Sequence, residues 1–408
     1  MISDKDVDIV PVEWTTEGSI IKVLGVGGGG CNAVNYMYGL DIKGCSFVVA
    51  NTNAASLAEY DVPQKIQLGH SGLGAGTNPT EGRNAALEVQ EEIAAKVLDT
   101  RTEMLFITAG MGGGTGTGAA PVIARMAKDR GILTVAVVTI PFRNEGAEAL
   151  SRALNGIYEL ESNTDAILVI DNEKLYKVFG NILSHEAFPK TDEVLATAVR
   201  GIIEVISRPG YIDVDFQDVS NVLRDAGMVL MGCGEGSGPG RIEEAVTATF
   251  ESPLLSDYDL KSAKNILINI TSGKNEQGLR MSDLEKIDEM IADYVGTANH
   301  FKKGIVWDDD PAFADKVRIT AIVTGLELDL SGLDKKAHDN TVIIDESFEW
   351  EQASKGGKTR PDPSRVKVDR GSGKPKPIDF GDKKPSLCVK PGDNTADLEN
   401  IPSIRRGN

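Results

Sequence analysis

The chain has 408 residues, 41% of them apolar, and a formal net charge of −18. That length allows two or three domains with sizeable cores. The acidic balance excludes nucleic acid as the main partner, because phosphate backbones need clustered Lys and Arg. No apolar run reaches the roughly 18 residues that suggest a membrane span. The acidic start, MISDKDVDIV, lacks the basic-then-apolar pattern of a secretory signal. A cytoplasmic chain with no direct membrane insertion is the expectation. Cys31, Cys45, Cys233 and Cys388 form no close pair and match no zinc spacing. They read as reduced thiols, with no metal site.

In chain order, residues 1–17 are polar and acidic and read as a flexible arm. From 18 to about 190, apolar runs alternate with helical patterns. Strands are predicted at Ile20–Val26, Ser46–Ala50, Met104–Ala109, Thr134–Ile140 and Ala166–Ile170. Helices are predicted at Asn32–Tyr38, Pro79–Leu98, Gly118–Asp129, Gly146–Glu161 and Thr191–Ser207. Such alternation implies an α/β fold with a parallel sheet covered on both faces. A smaller α/β block, 225–328, has predicted strands at Met228–Gly232, Ile266–Thr271 and Val317–Thr324. Its predicted helices are Arg241–Phe250 and Ser282–Tyr294. Beyond it, 329–395 is rich in Gly, Pro, Lys and Asp and reads as a disordered linker. The fragment GGKT within it lacks the first glycine and the preceding strand of a P-loop. The last segment, 396–408, regains an apolar cluster, Ile401, Pro402 and Ile404, beside Arg405 and Arg406. It reads as a docking peptide.

The chemistry concentrates in glycine turns. GVGGGG, Gly25 to Gly30, includes Gly27, Gly28 and Gly29 and formally matches G-x-G-x-x-G. A dinucleotide fold would need an acidic residue about 20 positions on. The second strand instead ends in Asn51 and Asn53. The second turn, AGMGGGTGTG, carries Gly110, Gly112, Gly113, Gly114, Gly116 and Gly118, with Thr115 and Thr117. A backbone nearly free of Cβ atoms lets N–H groups converge on phosphate oxygens at the positive end of a helix. Pro121 is expected in the first turn of that helix. A third turn, GLGAGTNP, adds Gly76 and Thr77. It reads equally as phosphate cover and as a helix start capped by Asn78. Two such turns at the carboxyl ends of parallel strands can grip one polyphosphate.

GVGGGGCNAV, NTNAASL, GLGAGTNPTEGRNAA, GGGTGTGAAPVIA, LTVAVVTIPFRNEG and VDFQDV follow one another in the order of the tubulin/FtsZ family. The chain resembles that family from about 18 to 328, and its tail resembles the FtsZ C-terminal peptide. The resemblance implies a GTP-binding domain (18–190), a central helix with a catalytic loop (191–224) and a smaller domain (225–328). It also implies a filament-forming GTPase that assembles head to tail at the division site, with GTP/GDP and Mg²⁺ as cofactors. Its implied partners are further copies of itself and membrane-tethering division proteins.

The same resemblance assigns roles. Asp192 would accept from the guanine N1–H and amine, with Phe188 stacked on the ring. Their spacing alone leaves open that Asp192 merely favours a helix N-terminus. Asn32 and Asn172 match base and ribose contacts, and Glu145 a ribose contact. Asp215 and Asp218 match two acids inserted into the neighbour's nucleotide site, with Asp213 at the start of that loop. Four positions depart from the family pattern. Asn53 replaces Asp, Cys31 replaces Gly, Ala149 replaces an Arg near the phosphates, and Asp213 replaces Asn. The last two leave phosphate charge less compensated, with Arg143 and Arg152 as candidate substitutes.

Overall fold

The computed structural model describes residues 19–174, 184–207, 214–252, 255, 258, 260–296, 300–308 and 313–325, with side chains in the helix 184–207 from residue 190 on. The arm at 1–17, the linker at 329–395 and the peptide at 396–408 lie outside these residues, as do Asp213, Cys388 and the side chain of Phe188.

The strands, in chain order, are β1 (Ile21–Val26), β2 (Ser46–Asn51), β3 (Gln64–Gln67), β4 (Met104–Gly110), β5 (Leu133–Ile140), β6 (Ala166–Asp171), β7 (Gly227–Ser237), β8 (Asn265–Gly273), β9 (His300–Asp308) and β10 (Lys316–Thr324). They lie side by side in the order β3-β2-β1-β4-β5-β6-β7-β10-β8-β9. From β3 to β7 every pairing is parallel; β10 runs antiparallel to β7 and β8, and β9 is parallel to β8. In β1 and β5 every residue is buried. This is why the sequence shows continuous apolar runs rather than alternation.

The helices are α1 (Gly27–Gly39), α2 (Ala54–Glu59), α3 (Pro79–Glu88), α4 (Gln90–Val97), α5 (Thr115–Lys128), α6 (Ala147–Ser162), α7 (Ser184–Ser207), α8 (Phe216–Leu223), α9 (Arg241–Phe250) and α10 (Met281–Val295). One core gathers Val34, Met37, Phe47, Phe106 and Leu133 with Val199 and Ile203 of α7. A second gathers Val246, Phe250, Ile268, Ile287, Ile291 and Ile319.

Several expectations need correction. The first helix starts at Gly27, so the glycines are its opening turn rather than a loop before it. The helix expected over Pro79–Leu98 is two, because Val89 (φ −121°, ψ 26°) breaks the helical path. Helix α5 starts at Thr115, which places Pro121 inside it rather than in its first turn. The central helix starts at Ser184 and runs through Pro189, which in the sequence argues for a later start. Strand β7 extends to Ser237 through Gly232, Gly234 and Gly236. A Cβ at Gly236 would lie 2.0 Å from the Arg241 carbonyl oxygen, so small residues let α9 lie close on this strand. The short or edge elements β3, α2 and β9 carry too few buried residues to show an apolar pattern.

Topology sets where chemistry can sit. Gly27 follows β1 and Met111 follows β4, so both glycine turns lie at the carboxyl ends of parallel strands. Helix α7 follows β6 and leads toward the other end of the sheet. There Gly227, the first residue of β7, pairs with Ala166, the first residue of β6. At that end a Cβ on Gly44, just before β2, would lie 2.6 Å from the Ser207 side chain. The 24 residues of α7 span about 36 Å at helical rise.

Candidate nucleotide site and a distant acid pair

The two glycine turns sort their glycines by purpose. A Cβ at Gly30 would lie 2.1 Å from the Thr108 carbonyl oxygen; at Gly116, 2.6 Å from that of Gly110; at Gly118, 1.9 Å from that of Pro79. These glycines let helices pack directly on backbone. Gly28, Gly76 and Gly113 have no heavy atom within 4 Å of a built Cβ. They face open space, and a phosphate there can approach the backbone. Neither α1 nor α5 has a side-chain cap. Their first N–H groups therefore point unpaired at the same end, which suits an anion.

The turns brace each other. Gly114 sits against Ala75 and Asn78 of the third turn. Thr77 (φ 62°) and Gly76 (φ 53°) bend that turn through left-handed backbone. Asn78 Oδ1 then caps α3 by accepting from Thr80 N at 3.0 Å. The Thr117 hydroxyl accepts from Gly112 N at 2.9 Å, and the hydroxyls of Thr52 and Thr115 meet at 2.6 Å. Of the two candidate arginines, Arg152 reaches the turn: its Nε donates to the Gly112 carbonyl at 2.9 Å. Its other side faces Glu148 at 3.0 Å. Ala149 is buried, with its carbonyl close to Gly112.

A second group of polar residues gathers where α7 packs on α1. Tyr60 donates to Asn32 Oδ1 at 3.0 Å. Burial, then the charges of Cys31, Glu59 and Asp192, pushes the Tyr60 phenol up to about 12. Burial pushes the Asp192 carboxyl up to about 7. Asp192 lies well past the first turn of α7, so the helix-start explanation for an acid there does not apply. Asn172 Oδ1 and Thr191 Oγ1 are buried with no hydrogen-bond partner among the described residues. Buried polar atoms of this kind need an explanation, and a ligand with polar edges supplies one. Glu145 also closes a short turn, its Oε1 accepting from Phe142 N at 2.9 Å. Tyr60 had no motif to announce it; only the folded chain brings it to Asn32.

The departures at Asn53 and Cys31 have local explanations. Asn53 Oδ1 accepts from Ser56 N at 3.1 Å and caps α2. The Cys31 thiol lies against the Ala50 and Gly25 carbonyls, and burial pushes it up to about 12, so it stays a thiol.

Asp215 and Asp218 lie at the other end of the sheet, just before β7. They do not sit in a loop. Asp215 is the N-cap of α8, its Oδ1 accepting from Asp218 N at 2.7 Å, and Asp218 Oδ2 accepts from Asp215 N at 3.3 Å. This reciprocal capping box holds both carboxylates at a helix N-terminus. Lys302 of β9 pairs with Asp218 Oδ2 at 2.8 Å. Among the described residues no group of three His, Cys, Asp or Glu could hold a metal by itself, and no helix is long and apolar enough to cross a membrane. Cys31, Cys45 and Cys233 are free thiols.

Comparison with known proteins gives this geometry a family. Residues 20–180 match the model of the Tubulin/FtsZ family GTPase domain, and 227–327 that of the FtsZ family C-terminal domain. The cell division protein FtsZ of Pseudomonas aeruginosa is 47% identical over 337 residues, covering 81% of this chain and 83% of that protein. The structure of an empty FtsZ dimer from M. jannaschii matches with a TM-score of 0.68 and 38% identity, over 75% of this chain and 88% of that one. CetZ2 from Haloferax volcanii, solved as a GTPγS-bound protofilament, shares the fold (TM-score 0.65, 20% identity, 78% of this chain and 97% of that one). The chain belongs to the FtsZ family of tubulin-like, filament-forming cell-division GTPases.

Proposed function

We propose that this chain assembles head to tail with copies of itself and hydrolyses GTP at each junction, the pocket coming from one subunit and the acids from the next. The observation that carries this is the separation of the glycine turns from Asp215 and Asp218 by the length of α7. One chain cannot bring the two together without unfolding that helix. A donor surface and a pocket at opposite ends make a heterologous contact, which propagates as an open filament.

In this reading Gly27 to Gly30, Gly112 to Gly114 and the N–H groups of Thr115 to Gly118 hold the phosphates, with Gly76 and Thr77 as cover. Asn32, Asn172, Glu145 and Asp192 hold the base and ribose, with Phe188 against the ring. Mg²⁺ would sit on the phosphates and meet the hard carboxylate oxygens of Asp215 and Asp218, supplying charge compensation. Asp213, two residues before Asp215 in the chain, would add a further negative charge. The peptide at 396–408 would carry the filament to a membrane-bound partner at the division site, on the cytoplasmic side. The test is GTP-dependent sedimentation with phosphate release measured on the same sample. Turnover per chain should rise with protein concentration through an assembly threshold. Constant turnover well below that threshold would place the chemistry within one chain.

Asp192 makes the reading sensitive to pH. Only the ionised carboxylate accepts from both guanine donors, and burial holds the carboxyl at about 7. GTP affinity is therefore expected to fall by up to about tenfold per unit below pH 7, and to level off above it. Asp192→Asn should remove that pH dependence and weaken GTP by about 1–3 kcal/mol. Without nucleotide the sign reverses. The folded state holds a proton on Asp192 that the unfolded state releases near pH 4, so the charge destabilises the fold increasingly from about pH 4 to pH 7. Nucleotide-free Asp192→Asn should melt higher than the parent at pH 8 and equally at pH 4. Identical melting at both values would remove the buried-charge argument.

A further inference from the structure

We propose that Lys302 is a positioning residue for GTP hydrolysis, holding the Asp218 carboxylate in place and offsetting one of the two negative charges shown to the neighbour's triphosphate. This rests on the reading that Asp215 and Asp218 act on the adjoining subunit's nucleotide.

Three observations carry it. First, Lys302 Nζ lies 2.8 Å from Asp218 Oδ2, the same oxygen that accepts from Asp215 N. Two donors fix one carboxylate oxygen. The other, Oδ1, has no protein donor among the described residues and is open to a water at the junction. Second, the group faces outward: the side chains of Lys302 and Asp218 are 43% and 29% exposed. The hydrogen bond to Asp218 comes first among the influences that raise the Lys302 ammonium, with the charges of Asp218 and Asp215 behind it, so the cation answers to both acids. Third, Lys302 comes from a different element. It stands on β9 opposite Leu267 of β8, on the sheet's edge, whereas the acids begin α8. An edge strand commonly carries lysines to block further pairing, and Lys303 beside it does bind Asp288 at 2.7 Å. That explanation accounts for a charge on the edge. It does not account for an ammonium aimed at the acid pair.

The physical need is plain. A triphosphate approaching two carboxylates meets repulsion that grows as water leaves the junction. One fixed ammonium beside the acids reduces that repulsion and holds the carboxylate's orientation, and misplacement of a positioned group by about 1 Å can cost roughly 100-fold in rate.

The test measures phosphate release per polymerised chain, polymer mass on the same sample, and GTP affinity of unassembled protein. Lys302→Ala should leave GTP affinity unchanged and lower turnover per polymerised chain about tenfold. Lys302→Arg should restore it to within about twofold, and Lys302→Glu should fall below Ala. In an Asp218→Ala background, Lys302→Ala should cause no further loss, because its partner is already gone. Wild-type turnover in Lys302→Ala polymer overturns the proposal. So does an equal loss in the Asp218→Ala background, which would mean that Lys302 acts elsewhere. Loss of polymer with normal turnover per polymerised chain would make Lys302 a contact residue only, and also overturns it. If Asp218→Ala alone keeps full turnover, the failure belongs to the junction mechanism rather than to Lys302.

Discussion

Asp218→Ala is expected to bind GTP as the parent does and to turn it over about 100-fold more slowly or worse. The proposed pocket lies at the carboxyl ends of β1 and β4, and Asp218 follows α7 in the chain. Truncating it therefore touches no group that holds nucleotide in its own chain. Its capping bond to Asp215 N is also lost, at a cost of about 1 kcal/mol to α8. Far-ultraviolet circular dichroism and melting separate that cost from the catalytic one. The stronger form of the experiment mixes Asp218→Ala with a chain whose pocket is blocked. Neither parent has a complete junction. A mixed filament has one wherever an intact pocket meets an intact acid pair, so activity should reappear on mixing. Mixtures no more active than the separate variants, in polymer that contains both chains, would mean that acid and pocket serve the same chain.

The blocked pocket is best made at Gly113, and the second large effect follows from that choice. With no heavy atom within 4 Å of a built Cβ, Gly113 has room for a side chain, and the proposed site puts the phosphates in that room. Gly113→Trp should keep the melting temperature and lose GTP affinity by at least about 100-fold. Gly30→Ala should do the opposite kind of damage. Its Cβ would lie 2.1 Å from a strand carbonyl, so α1 must move off β4. A loss of about 3 kcal/mol of stability is expected, read as a lower denaturant midpoint. Gly114→Trp is a poorer choice, since a Cβ there already lies 2.8 Å from Asn78 N. If Gly113→Trp binds GTP normally, the open space beside it is not the phosphate seat.

Strands β1, β2, β4, β5 and β6 of the parallel half were legible because they are largely buried and read as unbroken apolar runs. The glycine turns were legible as a pair, but their division of labour was not. Gly30 and Gly113 look alike in sequence, and only the backbone around them tells packing from binding. Helix starts were misjudged where glycine or proline opens a helix, as at Gly27 and Ser184, because local propensity yields there to packing against the strands. The edge strand β9 was missed because only three of its nine residues, Gly304 to Val306, are buried. With it went Lys302, whose meaning lies in a partner 84 positions away in the chain (302 − 218). Asp215 and Asp218 were found by family likeness; the capping box that holds them could have been read from an acid three residues after a capping acid.

The parallel run from β6 into β7 has an arithmetical consequence. On the proposed mechanism it fixes pocket and acids at opposite ends of every subunit, so a strand of n subunits holds n pockets but only n − 1 finished junctions. One terminal pocket always faces solvent without an acid partner, and one terminal acid pair faces no nucleotide. A pair of chains thus works at half the per-chain capacity of a long strand, and joining the two tips into a circle completes the last junction. On that mechanism nucleotide would leave freely from one tip alone, with every interior molecule covered by the next subunit. Direction along the filament is therefore written into each monomer before any partner arrives.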